Sequence, residues 1–356
     1  MLLGSDEPLF MRQTLFYIPE TFFGLPLFGW GLGLALIVAV VIVSHAYQYV
    51  KYRKIKDIGS SFALLGIGGV MFVFIVPNLM KPEFGIPIRG YGTLLLLAIL
   101  AALCLLLHLA KRQGIATEKV YSLALWSVVT GIVGARLFYI TQYWRETFLD
   151  HTGQMLPLDK LLFSILNFAQ GGLVVLGSVL AGALGAFIFM HRNKMPVLRT
   201  FDVMAPALML GIAIGRIGCL LNGCCFGGVT DHSWAITFPA DSPAYLHQIM
   251  HGQLHPDSLC ALPVHPTQIY SSSLALLLCG TLLVLGRLRF YRQRGGLVFA
   301  SFMILYSAGR FFIETIRTDE DSFLETGLTI SQNVSVVVGC AGIALFVYLC
   351  RKGVKT

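Results

Sequence analysis

Charge is scarce in this chain. Asp, Glu, Lys and Arg make up 12% of its 356 residues, against about 25% in a soluble domain. With 56% hydrophobic residues and a mean hydropathy of +0.75, that scarcity excludes an ordinary soluble protein. Acidic residues are rarer than basic ones, 18 against 26, for a net charge of +8. Such an excess could suit nucleic acid, but its placement in short loops between apolar runs argues against a nucleic-acid partner. The amino terminus lacks the positive start and small-residue cleavage site of a signal peptide, and Asp6 and Glu7 stand there instead. The closed Cys/His spacings of a structural zinc site are also missing.

What the chain has is apolar runs long enough to span a bilayer. Nine are read, at about 27–50, 58–79, 91–110, 119–142, 171–190, 203–222, 265–286, 296–316 and 330–350. Most Lys and Arg residues then fall on one side. Lys51, Arg53, Lys54 and Lys56 fill one loop, and Lys111, Arg112 and Lys119 another. Arg192, Lys194 and Arg199 fill a third, Arg287, Arg289, Arg292 and Arg294 a fourth, and Arg351, Lys352 and Lys355 follow the last span. The positive-inside rule makes that side cytoplasmic. The expected fold is an all-α integral membrane protein of about nine transmembrane helices. Its amino terminus is outside, its carboxyl terminus is cytoplasmic, and a small outer cap is built from 223–264. Residues 1–80 form an extension with two helices, and 81–356 a seven-helix domain that includes the cap. Glycines at 171, 172, 177, 182 and 185, and again at 211, 215, 218 and 223, are the small residues that let helices approach closely in lipid.

Five arginines break the charge pattern. Arg89, Arg136, Arg216, Arg310 and Arg317 sit at or just inside the outer ends of spans. A charge at the bilayer centre costs about 2.5–3.5 kcal/mol on insertion scales, so intramembrane arginine points to function. Several guanidiniums at one depth suit an anion, and the abundant anion of a membrane is lipid phosphate. Tyr91, Arg136, Gly172, Arg216, His265, Arg310 and Glu314 are all expected toward that outer end. Tyr306, Arg310 and Glu314 are spaced by four, on one helical face. The carboxylate can hold the guanidinium fork, and the tyrosine offers a hydroxyl to the same ligand. The alternative is a structural ion pair between packed helices. His265 precedes Pro266, which suggests an N-cap with Pro at the first helical position.

Three stretches carry a resemblance: GRIGCLLNGCCFGG at 215–228, HPTQIY at 265–270 and YSAGRFFIETIR at 306–317. With IRGYG at 88–92, GARLFY at 134–139 and QGGLVVLG at 170–177, they resemble the prolipoprotein diacylglyceryl transferase family. The resemblance implies an enzyme of the bacterial cytoplasmic (inner) membrane, with its active site toward the outer leaflet. It would move diacylglyceryl from phosphatidylglycerol to the lipobox cysteine of a prolipoprotein and release glycerol phosphate. The implied partners are phosphatidylglycerol, prolipoprotein signal peptides and membrane lipids, and no cofactor is implied. Tyr91 matches a substrate-contacting tyrosine, and Arg216 and Arg310 match two phosphate-binding arginines. Tyr306 and Glu314 match the residues flanking the second arginine. His265, Gln268 and Tyr270 match the HP(S/T)Q-Y motif, and Asn222 matches the second asparagine of another. There are departures. Leu176 stands where the family usually has a histidine, a candidate general base, and Cys219 where it has an asparagine. His265 is the remaining candidate for the base, because an imidazole titrates near neutrality as a rule. It could also only cap its helix, or the arginines alone could favour the acceptor thiolate.

Other classes stay open. His247, His251 and His255, spaced by four, with His232, Cys224, Cys225 and Cys260 nearby in sequence, could bind a metal. Gly252 and Pro256 argue against one long helix there. Cys224 or Cys225 could pair with Cys260 in an oxidising compartment. A transporter would place its site near the midplane, whereas these polar residues gather at one end. A transferase-like scaffold without activity is the reading that Leu176 and Cys219 suggest.

Overall fold

The computed structural model describes residues 14–18, 21–22, 25–26, 38–39, 42, 86–149, 155, 157, 174–318 and 327–352. The expected spans at 27–50 and 58–79 fall almost wholly outside these residues, and so does Gly172. In chain order the elements are β1 (Thr14–Ile18), β2 (Thr21–Phe22), β3 (Leu25–Pro26), β4 (Ile86–Arg89), α1 (Gly90–Arg112), α2 (Thr117–Gln142) and α3 (Trp144–Phe148). They continue with α4 (Val175–Arg192), α5 (Val197–Asn222), α6 (Pro243–Met250), α7 (Thr267–Leu285), α8 (Arg289–Gln293), α9 (Leu297–Glu314) and α10 (Ile330–Arg351).

Six of these helices, α1, α2, α5, α7, α9 and α10, are long and apolar enough to cross a membrane, and α4 is a shorter apolar helix. They lie where seven of the nine spans were expected. The strands are an addition to the all-helical expectation. β1 pairs antiparallel with β4, and β2 with β3. Pro26 and Pro87 sit in these segments, and proline is disfavoured in a helix interior. Arg89, expected at a helix end, is instead the last residue of β4.

The described residues group into two compact units. One contains those up to Leu95, with Ile217–Cys224 and Ile236–Pro263; the other contains those of Leu96–Arg216, Cys225–Ala235 and Val264–Thr356.

In the first unit, part of the expected cap is folded around α6. Ser242 caps the helix by accepting from the Tyr245 amide at 3.2 Å. The Gln248 side chain, almost fully buried, accepts from the Leu262 amide at 2.7 Å and donates to the Leu262 carbonyl at 3.3 Å. α6 ends at Met250, and Gly252 takes a left-handed φ of +66°, so the histidine spacing does not continue along one helix face to His255. His247 and His251 stack at 4.0 Å. No disulfide joins the cysteines, so the pairing with Cys260 is not formed.

In the second unit, α2 and α4 pack along their glycines, as the small-residue pattern anticipates. A Cβ on Gly134 would collide with Ala181, one on Gly177 with Phe138, and one on Gly185 with Thr130. Two similar links close one end of the unit. Ile115 N–H returns to the Ala110 carbonyl at 3.0 Å, and Met195 N–H to the Met190 carbonyl at 2.9 Å. Both Ile115 and Met195 are buried in a core with Leu106, Val120, Leu123 and Val203. Lys119 Nζ donates to the Asn193 carbonyl at 3.0 Å and ties the two links together.

Candidate active site

The site of the second unit is assembled where three chain segments meet at the far ends of α5, α7 and α9. Gly227 N–H donates to the His265 carbonyl at 3.0 Å, and His265 N–H to the Gly228 carbonyl at 3.0 Å. Gly228 N–H donates to the Ile316 carbonyl at 2.9 Å. Gly227 must be a glycine here. A Cβ would lie 2.8 Å from His265 Cβ and from Thr267 Cγ2, and 3.0 Å from the Ile316 carbonyl oxygen. Thr267 Oγ1 closes the junction by donating to the Cys225 carbonyl at 2.6 Å.

This pairing corrects one expectation. His265 does not cap α7, and Pro266 is not its first helical residue. The helix begins at Thr267, Pro266 occupies the N-cap position, and it contributes no side-chain hydrogen bond. The residue before a proline is pushed toward extended geometry, and His265 uses that geometry to pair with the 227–228 segment.

The arginine cluster is centred on Glu314, whose side chain is fully buried. Its Oε2 lies 2.6 Å from Arg310 Nη1 and 3.6 Å from Arg317 Nη1. One carboxylate therefore orients two guanidiniums, one four residues before it and one three after. Arg310 Nη2 also donates to Ser331 Oγ at 3.0 Å. Ser331 is placed by the first turn of α10, which a reciprocal capping box fixes: Thr329 Oγ1 accepts from the Gln332 amide, and Gln332 Oε1 from the Thr329 amide. Arg216 of α5 and Arg317 lie close enough to repel the Arg310 charge, and Glu314 attracts it. Tyr306, one turn before Arg310, is within the same electrostatic reach and stacks on Phe302 at 5.7 Å. Among the described residues Arg216, Arg310 and Arg317 outnumber the one carboxylate of this cluster, a balance suited to an anion.

A second group adjoins it through the 227–228 and 316–317 pairing. Tyr270 OH accepts from the Trp234 indole N–H at 2.8 Å and lies 3.4 Å from His265 Nδ1. His232 stacks on Trp234 at 4.6 Å and its ring is 5.5 Å from that of His265. For His265 Nε2 to take a proton, Nδ1 must carry the ring hydrogen and aim it at the Tyr270 oxygen. Gln268 is buried in the first turn of α7.

Arg136 is buried near the end of α2, its guanidinium 5.2 Å from the Tyr139 ring. Tyr91 and Asn222 belong to the first unit. Tyr91 is 41% exposed, and Gly218 packs against it, so that a Cβ there would lie 3.3 Å from Tyr91 Cδ2. Asn222 ends α5, followed by Gly223 with a φ of +72°. Leu176 lies in the first turn of α4. Ser331 and Trp234 were missed in the sequence reading, and His232 was read there only as a candidate metal ligand. The Thr-x-x-Gln capping signature before α10 could have pointed to Ser331.

A model of the prolipoprotein diacylglyceryl transferase family matches residues 77–348. The chain belongs to that family. A phosphatidylglycerol–prolipoprotein diacylglyceryl transferase of Rhodopirellula baltica is 36% identical over 256 residues, which is 68% of this chain and 50% of that protein. The chain thus spans about half the length of that relative. Transferase 2 of Clostridium perfringens is 34% identical over 272 residues, 76% of this chain and 95% of that protein. The Clostridium tetani transferase is 30% identical over 275 residues, 75% of this chain and 97% of that protein. The three stretches from α5, α7 and α9 that build the site all fall within the region the family model matches.

Proposed function

We propose that this chain transfers the diacylglyceryl group of phosphatidylglycerol to the cysteine thiol of a prolipoprotein lipobox. The observation that carries the proposal is the Arg216, Arg310 and Arg317 cluster around the buried Glu314. In this reaction a carbon–sulfur bond forms on the glyceryl carbon while the bond from that carbon to the phosphate oxygen breaks. The departing glycerol phosphate takes the electron pair. Arg216 and Arg310 bind its phosphate and stabilise the charge that develops there. A well-placed donor of this kind is worth about 3–4 kcal/mol in comparable sites. Glu314 keeps the Arg310 fork aimed, and Ser331 fixes its second nitrogen.

The nucleophile is the thiolate, and a free thiol titrates near 8.5 as a rule. His265 takes the thiol proton in this proposal, with its ring oriented by Tyr270 and Trp234. Tyr91, Tyr306, Gln268, Asn222, Arg136 and Gly172 contact the substrates. The residues require no metal or nucleotide for this chemistry.

The proposed setting is the bacterial inner membrane, with nine spans, the amino terminus outside and the site facing the outer leaflet. Residues 1–80 are an added two-helix extension on a seven-helix domain. The deciding experiment mixes the purified protein with phosphatidylglycerol and a lipobox peptide. The peptide should gain the mass of one diacylglyceryl group, and a peptide with Ser in place of the lipobox cysteine should gain none. An unchanged cysteine peptide would leave the impaired scaffold as the reading.

A further inference from the structure

At the opposite end of the second unit, a cavity of about 370 Å³ opens between the end of α1, the start of α5 and the α7–α8 link. Its size is in the range of small-molecule sites, roughly 300–1,000 Å³. Four arginines line it: Arg112, Arg199, Arg287 and Arg292. None of the four is paired with a carboxylate among the described residues. The one acidic side chain in the wall, Asp202, lies within electrostatic reach of Arg199 and also caps a helix. Its two oxygens accept from the Gly296 amide at 2.6 Å and the Phe299 amide at 2.8 Å, capping α9. The Arg199 stem is held by close packing, since a Cβ on Gly295 would come within 2.8 Å of Arg199 Cγ. The rest of the lining is largely apolar, with Leu109, Leu282 and Val298.

We infer that this cavity binds the phosphate headgroup of an anionic phospholipid in the inner leaflet, apart from the transfer site. Two features choose that ligand. Four guanidiniums against one carboxylate call for phosphate, and basic pockets between helices on the cytoplasmic side hold anionic headgroups. The apolar wall beside them calls for a ligand whose charge adjoins hydrocarbon, which a free phosphate ion lacks. The location follows from the proposed orientation, in which these positive loops are cytoplasmic.

The test uses full-length protein in mild detergent, with phosphatidylglycerol, phosphatidylcholine and inorganic phosphate as separate probes. Native mass spectrometry counts bound lipid, and thermal melting follows stabilisation by the ligand. The wild type is expected to retain one more phosphatidylglycerol than an Arg199→Gln/Arg292→Gln variant. Arg310→Gln, altered at the transfer site, should keep that lipid and its melting shift, so failure at one site is distinguishable from failure at the other. Arg112→Gln/Arg287→Gln should behave like the first variant. All four side chains are exposed, so neutralising them leaves the fold intact, and the unliganded melting temperature checks this. Equal retention by wild type and both double variants would overturn the inference, as would equal retention of phosphatidylcholine. Protection by inorganic phosphate equal to that by phosphatidylglycerol would also overturn it, in favour of a free-anion site.

Discussion

Replacing Glu314 by Gln removes one charge and almost no volume, so it isolates what that charge does. Glu314 is fully buried and sits 2.6 Å from Arg310 and 3.6 Å from Arg317. At an effective dielectric of about 20, two unit charges 4 Å apart attract by about 4 kcal/mol. Removing one partner of a buried pair costs about 3–5 kcal/mol, because the other charge is left uncompensated. Here two guanidiniums lose the same partner while Arg216 continues to repel Arg310. We expect a stability loss of about 3 kcal/mol, visible as a lower melting temperature. Transfer should fall further than stability accounts for, because the Arg310 fork is no longer aimed. A loss of about 100–1,000-fold corresponds to one misplaced charge-stabilising donor. The loss should sit in kcat. The variant site is more positive than the native one, so KM for phosphatidylglycerol should not rise. Glu314→Asp keeps the charge on a shorter stem and should recover part of the rate. The assay is initial-rate transfer to a lipobox peptide over a range of donor concentration, with melting followed in parallel. A Glu314→Gln protein that transfers near the native rate, or whose defect lies wholly in KM, would refute the orienting role.

Three further outcomes are expected. Arg310→Lys and Arg216→Lys keep charge but lose the bidentate fork, so both should lose most transfer; near-normal turnover of Arg310→Lys would reduce it to a generic counter-charge. His265→Gln should be nearly inactive near neutrality and recover partly at alkaline pH, where the acceptor thiol ionises unaided; an equal loss at every pH would make His265 structural. Gly227→Ala forces a Cβ against His265, Thr267 and the Ile316 carbonyl. Overpacking of this kind costs about 1–3 kcal/mol, so its melting temperature should drop, and an unchanged melting curve would count against the tight junction.

The arginines were legible in the sequence because charge inside apolar runs is rare enough to demand a reason. The Arg310–Glu314 pair was legible because a spacing of four defines one helix face. The capping role of His265 was misread, because Pro at a helix start usually occupies the first helical turn. Here the backbone of His265 is taken by a segment nearly forty residues earlier, and the helix begins two residues after it. Trp234 was not legible for a related reason. It is a loop residue whose partner, Tyr270, is 36 positions away, and no local period links them. The strands were missed because β1 and β4 pair across a long stretch of chain, and short strands flanking helices leave little alternation to detect.

The junction of Gly227, His265 and Ile316 also orders events in biogenesis. Its three segments leave the ribosome far apart in time, and Ser331, which steadies Arg310, comes later still. A nascent chain inserted only as far as α7 has Arg216 and His265 but neither Arg310 nor Glu314. Such an intermediate would hold a loose positive charge rather than a working site. Catalytic competence would therefore arrive late in membrane insertion, and a chain stalled before α9 would be inert rather than partly active.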